Sequence, residues 1–258
     1  MAKIAVLYFP GNNCEEETKR AVEAAGMQAD ILRWNNDPKL LENYDGYIIP
    51  GGFAYEDRVR AGVIAAKQKI MGKIQEETEK GKILLGICNG AQVLVETGMI
   101  PGLQRSVQMA LAPNDNPKIS GYYCTWIRLK NIAKKKNAFN QYYSEAEIIP
   151  MPIAHGEGKF TTRDTTLLEQ LKENEQIAFR YCNADGEFVD TFPVNPNGAM
   201  FNIAAISNKE GNIMAIMPHP ERASWKKQLP EKQLRNFQDG ELAGPGRKVF
   251  ESMGEWLR

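Results

Sequence analysis

The chain has 258 residues, and its 32 lysines plus arginines are balanced by 32 aspartates plus glutamates. That balance excludes a global field able to draw in nucleic acid or an anionic membrane. Four cysteines, Cys14, Cys88, Cys124 and Cys182, are scattered without a Cys-x-x-Cys pair, which argues against a zinc knuckle, a thioredoxin-like redox site and a disulfide framework.

The length suits one α/β domain with an ample core, and a single domain over residues 1–258 is expected. The chain runs from Met-Ala-Lys straight into Ile-Ala-Val-Leu-Tyr-Phe without a signal-type core. No apolar stretch approaches the roughly 18 residues of a membrane span. A cytoplasmic protein with reduced thiols is the expectation.

Residues 3 to 9 form an apolar, β-branched and aromatic run that reads as a buried strand ending at Pro10-Gly11-Asn12-Asn13. A helix follows, with Asn13 as its expected cap, Glu15, Glu16 and Glu17 at its positive end, and Gly26 as its stop. Ala29 to Trp34 and Asp45 to Ile49 read as the next two strands, the second closed by Pro50-Gly51-Gly52-Phe53. One helix is predicted between Arg60 and Lys80, leading through Gly81 into a further strand. This alternation is the signature of right-handed parallel crossovers. Ligands in such sheets gather at the carboxyl ends of the strands.

From Ser106 to Lys130 the pattern turns to β-formers, notably Tyr122, Tyr123, Trp126 and Ile127, which predicts an antiparallel extension of the sheet. Residues 147 to 154 lead to His155-Gly-Glu-Gly158, a short helix spans about Leu167 to Lys172, and Gln176 to Cys182 is another strand. Asp185 to Gly198 is a polar loop able to cover a site. Met200 to Ser207 and Asn212 to Met217 read as a hairpin joined by Lys-Glu-Gly-Asn.

The most informative stretch is Lys82 to Gly98, where an apolar run stops at Gly86-x-Cys88-x-Gly90 and helical spacing begins. This is the thiol version of the Gly-x-Ser-x-Gly elbow, which holds a nucleophile on a sharp strand-to-helix turn. The helix N-terminus beside Cys88 favours a thiolate. A base is then required. Only two histidines exist, His155 and His219. His219 ends an apolar strand between two prolines that are expected to hold it extended, with Glu221 two positions on and on the same side. Cys88, His219 and Glu221 therefore form a candidate Cys-His-Glu triad. His155 sits in a Gly-Glu-Gly turn and is read as a pocket-lining residue. The residues by themselves leave open two alternatives: a stand-alone cysteine amidohydrolase of the same fold, and a non-catalytic regulatory subunit in which Cys88 is merely buried.

Three ordered motifs, Pro50-Gly51-Gly52-Phe53, Gly86-Ile-Cys-Asn-Gly-Ala-Gln92 and Pro218-His-Pro-Glu-Arg222, resemble those of the class I, triad-type glutamine amidotransferases. Gly52-Phe53 followed by Asp57, Arg60 and Gly62, then Ile153-Ala-His-Gly-Glu-Gly158 and Asn195-Pro-Asn-Gly198, narrows the likeness to the glutaminase subunits of phosphoribosylformylglycinamidine synthase. The chain departs from that pattern at Ala91, where a bulkier residue is usual, and at Glu56, where glycine is. The segment from Ala223 to Gly244 carries no usable likeness.

The resemblance implies a flavodoxin-like three-layer α/β sandwich, with a mostly parallel central sheet and an antiparallel extension. It implies that Cys88 attacks the side-chain amide of glutamine, that His219 moves the proton and that Glu221 orients His219. It further implies an oxyanion hole from the backbone N–H of Gly52 or Phe53 and of Asn89, with Gln92 contacting the glutamine. The implied partners are a large ATP-binding synthetase subunit of the PurL type and a small accessory subunit of the PurS type. Neither Gly-x-x-x-x-Gly-Lys-[Ser/Thr] nor Gly-x-Gly-x-x-Gly occurs, so no nucleotide or other cofactor, and no metal, is expected on this chain.

Overall fold

The computed structural model of the protein describes residues 1–104, 106–119, 121–145, 147–231 and 242–258. The first strand, β1 (Lys3–Tyr8), is followed by α1 (Glu15–Ala24), β2 (Gln28–Arg33), a 3-10 turn and β3 (Gly46–Ile49). Then come α2 (Val63–Ala66), α3 (Lys69–Glu79), β4 (Ile83–Ile87) and α4 (Asn89–Thr97). The second half contributes β5 (Ala110–Ala112), β6 (Tyr123–Asn131), β7 (Ile148–His155), β8 (Lys159–Thr161), α5 (Leu167–Glu173), β9 (Ile177–Cys182), β10 (Ile203–Ser207) and β11 (Ile213–Ile216). A last helix, α6 (Arg247–Trp256), ends the chain.

Nine strands form one sheet in the order β2-β1-β3-β4-β11-β10-β9-β6-β7. From β2 to β11 the pairings are parallel, and from β11 to β7 they are antiparallel, so the predicted extension is as wide as the parallel part. The parallel strands are covered on both faces, which is why they read as continuous apolar runs. Ile4 to Leu7 and Ile83 to Leu85 have no exposed surface. On one side α1 packs on β1 and β2 with α6 beside it; α4 packs on β3, β4 and β11 and against α2. Crossovers of one hand that leave β1 in opposite directions place their helices on opposite faces. The result is the three-layer α/β sandwich with a flavodoxin-like strand order over its parallel part.

Four local expectations are corrected. The cap position of α1 is Cys14, with no side-chain cap bond, while the Asn13 side chain accepts from the Cys14 thiol at 3.2 Å. Asn12 is bridged to Gly52, which sets the start of the helix one residue later than the cap chemistry suggested. The single helix expected over Arg60 to Lys80 is two, broken where Gln68 turns extended at φ −70°, ψ 144°. Gly62 lies so close to the backbone of α4 that a Cβ there would sit 2.6 Å from the Val93 nitrogen, so α2 is pinned to α4 while α3 packs on the 3-10 turn Pro38–Asn43. Part of the predicted extension, β5, leaves the sheet to pair with β8 in a two-stranded ribbon. The strand expected from Met200 starts at Ile203, because Met200–Asn202 forms a 3-10 turn with Phe201 at φ 51°. Within the stretch 223–244, residues 232–241 lie outside the described residues. No helix among the described residues is long and apolar enough to cross a membrane.

Candidate active site

Cys88 stands between β4 and α4 with φ 51° and ψ −104°, a conformation that side-chain-bearing residues rarely adopt. The flanking glycines are sterically required. A Cβ on Gly86 would lie 2.6 Å from the Gly90 carbonyl oxygen, and one on Gly90 would lie 2.0 Å from that of Ile49. The turn is fixed by the Cys88 N–H donating to the Ile216 oxygen at 2.8 Å, and the thiol reaches the Ala154 oxygen at 3.5 Å.

Because β11 runs parallel beside β4, the segment after β11 ends next to the Cys88 corner. His219 is there, 2 % exposed, with its N–H held by the Pro152 oxygen of β7 at 2.9 Å. Its Nδ1 is 2.5 Å from Oε1 of the fully buried Glu221. Pro220 opens a 3-10 turn over Pro220–Ala223, so Glu221 returns to the ring through that turn and not along the extended backbone that the prolines suggested. Burial pushes the His219 imidazolium down, but the Glu221 carboxylate outweighs it. The charge of Cys88 and the nearness of the Cys14 and Cys88 sulfurs act in the same upward direction, and the group is held well above the ordinary imidazole value. With Nδ1 committed to Glu221, a neutral ring presents Nε2 as a proton acceptor, and Nε2 has no protein partner.

The glycine loop closes the same corner. A Cβ on Gly51 would lie 2.8 Å from His219 Cε1, and Gly52 has φ 138°, open only to glycine. The Phe53 N–H donates to the Gly11 oxygen at 2.9 Å, whereas the Gly52 N–H makes no such bond among the described residues. The Asn89 N–H begins α4 and has no intrahelical acceptor. The Asn89 side chain accepts from the Ala54 N–H at 3.0 Å and donates to Asp57 at 3.0 Å and to Gln92 at 2.8 Å, locking the loop to the helix. Gln92 in turn donates to the Glu157 carbonyl at 2.7 Å. Both ends of its amide are thus already bonded within the protein.

These elements enclose a cavity of about 180 Å³ lined by Gly52, Phe53, Cys88, Gln92, Tyr122 and Glu157, with Asp57 and His155 completing the wall. It is smaller than the ~300–1,000 Å³ of sites for drug-sized ligands, so it fits a small metabolite. A larger cavity of about 600 Å³ lies by Gly81, Gly98 and Asn212, at the amino ends of β4 and β11, away from Cys88. His155 is buried with Nδ1 3.0 Å from Asn114 Oδ1. Burial, then the charge of His219, lowers it to about 3, so it is neutral. The polar loop reaches this region through Asn197, which donates to the Gly158 carbonyl at 2.8 Å.

Four contributors were not singled out as site residues from the sequence. Tyr122, Asp57 and Glu157 face the cavity, and Cys14 lies under His219. Asp57 and Glu157 stand in the segments that narrowed the family likeness, which was the only signal for them. Ligand atoms of Cys14, His219 and Glu221 lie within 4.8 Å of one another. The set fits a hydrogen-bonded network better than a cation: Arg222 Nη2 donates to the Cys14 sulfur at 3.2 Å, and burial pushes that thiol up to about 11.

Comparisons with known proteins bear on the family of the chain. Residues 1–257 match the model of the CobB/CobQ-like glutamine amidotransferase domain. The chain is 48% identical to the phosphoribosylformylglycinamidine synthase subunit PurQ of Methanothrix thermoacetophila, covering 99% of this chain and 98% of that one. It is 42% identical to the PurQ subunit of Pyrococcus furiosus over the full length of both. Among solved structures, PurLQS from Thermotoga maritima matches with a TM-score of 0.76 and 30% identity, over 100% of each chain. The chain belongs to the glutamine amidotransferase family, in its PurQ branch, the subunits of phosphoribosylformylglycinamidine synthase.

Proposed function

We propose that the chain, one domain over residues 1–258, hydrolyses the side-chain amide of glutamine in the cytoplasm. It delivers the ammonia to a PurL-type synthetase subunit that forms formylglycinamidine ribonucleotide in de novo purine biosynthesis. A small PurS-type subunit joins the complex. The observation that carries this reading is the buried His219 ring, bonded to Glu221 on one nitrogen and interacting with Cys88 at the ends of two adjacent strands.

In this reading His219 Nε2 takes the Cys88 proton, and the sulfur adds to the amide carbon of glutamine. The oxyanion is held by the Gly52 and Asn89 N–H groups; Phe53 serves only if its N–H leaves Gly11. Each such donor is worth about 2.7–4 kcal/mol in the transition state. His219 then returns the proton to the departing nitrogen, the C–N bond breaks, and ammonia leaves. Water, deprotonated by His219, cleaves the thioester to give glutamate. Gln92 braces the cavity wall through Asn89 and Glu157.

Glutamine hydrolysis is measured on the purified chain with and without the synthetase subunit. We expect low activity alone and a rise on assembly, because ammonia made without an acceptor is wasted; full activity alone would count against gating. A Cys88→Ala variant that still releases glutamate in the complex would end the assignment.

A further inference from the structure

We propose that Arg180, clamped between Phe188 and Phe201, receives a carboxylate side chain of the synthetase subunit and anchors the chain to it. This inference rests on the reading above in which ammonia passes to that subunit.

Arg180 stands in β9 and is 8 % exposed. Its Cζ lies 3.7 Å from the centre of the Phe188 ring and 3.4 Å from that of Phe201. Two rings this close cannot share one face of a planar group, so they cover both. Its Nε donates to the Phe201 carbonyl at 2.7 Å, and among the described residues no other hydrogen bond and no ion pair reaches the guanidinium. Buried charges are ordinarily paired. Here burial, with no acid to offset it, lowers the Arg180 pKa to about 10. Glu187, the acid beside Phe188 in sequence, is bonded to Asn183 at 2.8 Å. A second cation, Lys130, lies opposite Arg180 on β6, with Nζ 5.8 Å from the Phe188 ring.

The clamp is held against local backbone preference. Phe201 and Asn202 have φ 51° and 55°, a region that bulky side chains rarely occupy. Asn202 Nδ2 donates to the Val189 oxygen at 2.6 Å and to the Tyr181 oxygen at 3.3 Å, tying the Phe188 loop to β9. Strain of this kind collects at ligand clamps. With both faces covered, only the edge of the guanidinium is open, and its coplanar N–H groups match the two oxygens of a carboxylate.

Position selects the partner. β9 is antiparallel to β10 and β10 to β11, which lies parallel to β4, so β9 ends at the rim that holds Cys88. The loop after β9 carries Phe188 and reaches the cavity wall through Asn197. Ammonia made at Cys88 leaves from that rim, so the subunit that takes it must cover the rim. An arginine beside an exposed aromatic such as Phe188 is the make-up of an interface hot spot.

The test measures the dissociation constant of the full chain for the synthetase subunit, together with glutamine turnover at saturating synthetase. Arg180→Gln is expected to weaken binding about thirtyfold or more, and Phe188→Ala about tenfold, with saturated turnover unchanged. Arg180→Lys, which keeps the charge and loses the fork, is expected to fall between Arg180→Gln and wild type. Phe188→Ala, made at the surface, decides the matter should Arg180→Gln not fold. Wild-type affinity in the variants overturns the proposal; if they lose self-association instead, the clamp belongs to a second copy of the chain. A wild-type chain that does not bind the synthetase subunit overturns the assembly reading and this contact together.

Discussion

The parallel and antiparallel parts of the sheet each end in a buried histidine, and the two environments pull in opposite directions. His219, at the end of the parallel part, faces the Glu221 carboxylate and is held well above the ordinary imidazole value. His155, at the end of antiparallel β7, faces the neutral amide of Asn114 and falls to about 3. Both rings are 2 % exposed, and both leave Nε2 without a protein partner. Burial is therefore shared; the Glu221 carboxylate lets His219 carry charge, and that charge adds to the burial that keeps His155 neutral.

The largest test of this contrast is activity. If His219 is the general base proposed above, His219→Asn is expected to lower glutamine turnover in the complex by about 10³-fold or more. His155→Asn, altering a neutral wall residue, is expected to stay within about tenfold. Equal losses would erase the distinction between them.

Next come the exchanged environments. Glu221→Gln is expected to cost about 10²- to 10⁴-fold in turnover and to bring the His219 titration down, read by NMR of its ring protons. Asn114→Asp gives His155 a carboxylate and is expected to raise its titration. A His155 that remains neutral near pH 5 in that variant would show that burial alone governs it.

Stability gives the smallest effect, and its sign differs between the rings. The folded His219 binds its proton more tightly than the unfolded chain does, so its contribution is fully present below about 6.5 and is lost as pH rises through the raised value. The folded His155 resists protonation, so its contribution is lost as pH falls from about 6.5 towards 3, at up to about 1.4 kcal/mol per pH unit. His155→Gln is therefore expected to flatten the acid side of a denaturant-midpoint profile. An unchanged acid slope would mean that His155 titrates normally.

The sequence revealed what depends on near neighbours. Continuous apolar runs marked β1 and β4 because both faces are covered, the Lys209 to Asn212 turn marked the β10–β11 hairpin, and the glycine spacing marked the Cys88 corner. Glu221 was legible beside His219, though the turn that joins them was not. Contacts made across the chain left no periodic trace. The break at Gln68 follows from Gly62 meeting α4, the Asn13 side chain loses its cap position to the Asn12–Gly52 bridge, and Asp57 meets Glu157 only once β7 and the glycine loop are folded. Gln92 stood at a readable helical position, yet its amide is spent on Asn89 and Glu157.

The Cys88 backbone, at φ 51° and ψ −104°, sets reactivity against robustness in a single residue. Such a conformation costs on the order of 1–3 kcal/mol for a residue with a Cβ, and glycine escapes it. A Cys88→Gly chain, which under the proposed mechanism has no nucleophile, is expected to melt no lower than the wild type even though it has lost a buried side chain. Heat resistance gained by disarming the protein would measure what the fold surrenders to keep a sulfur atom at that corner.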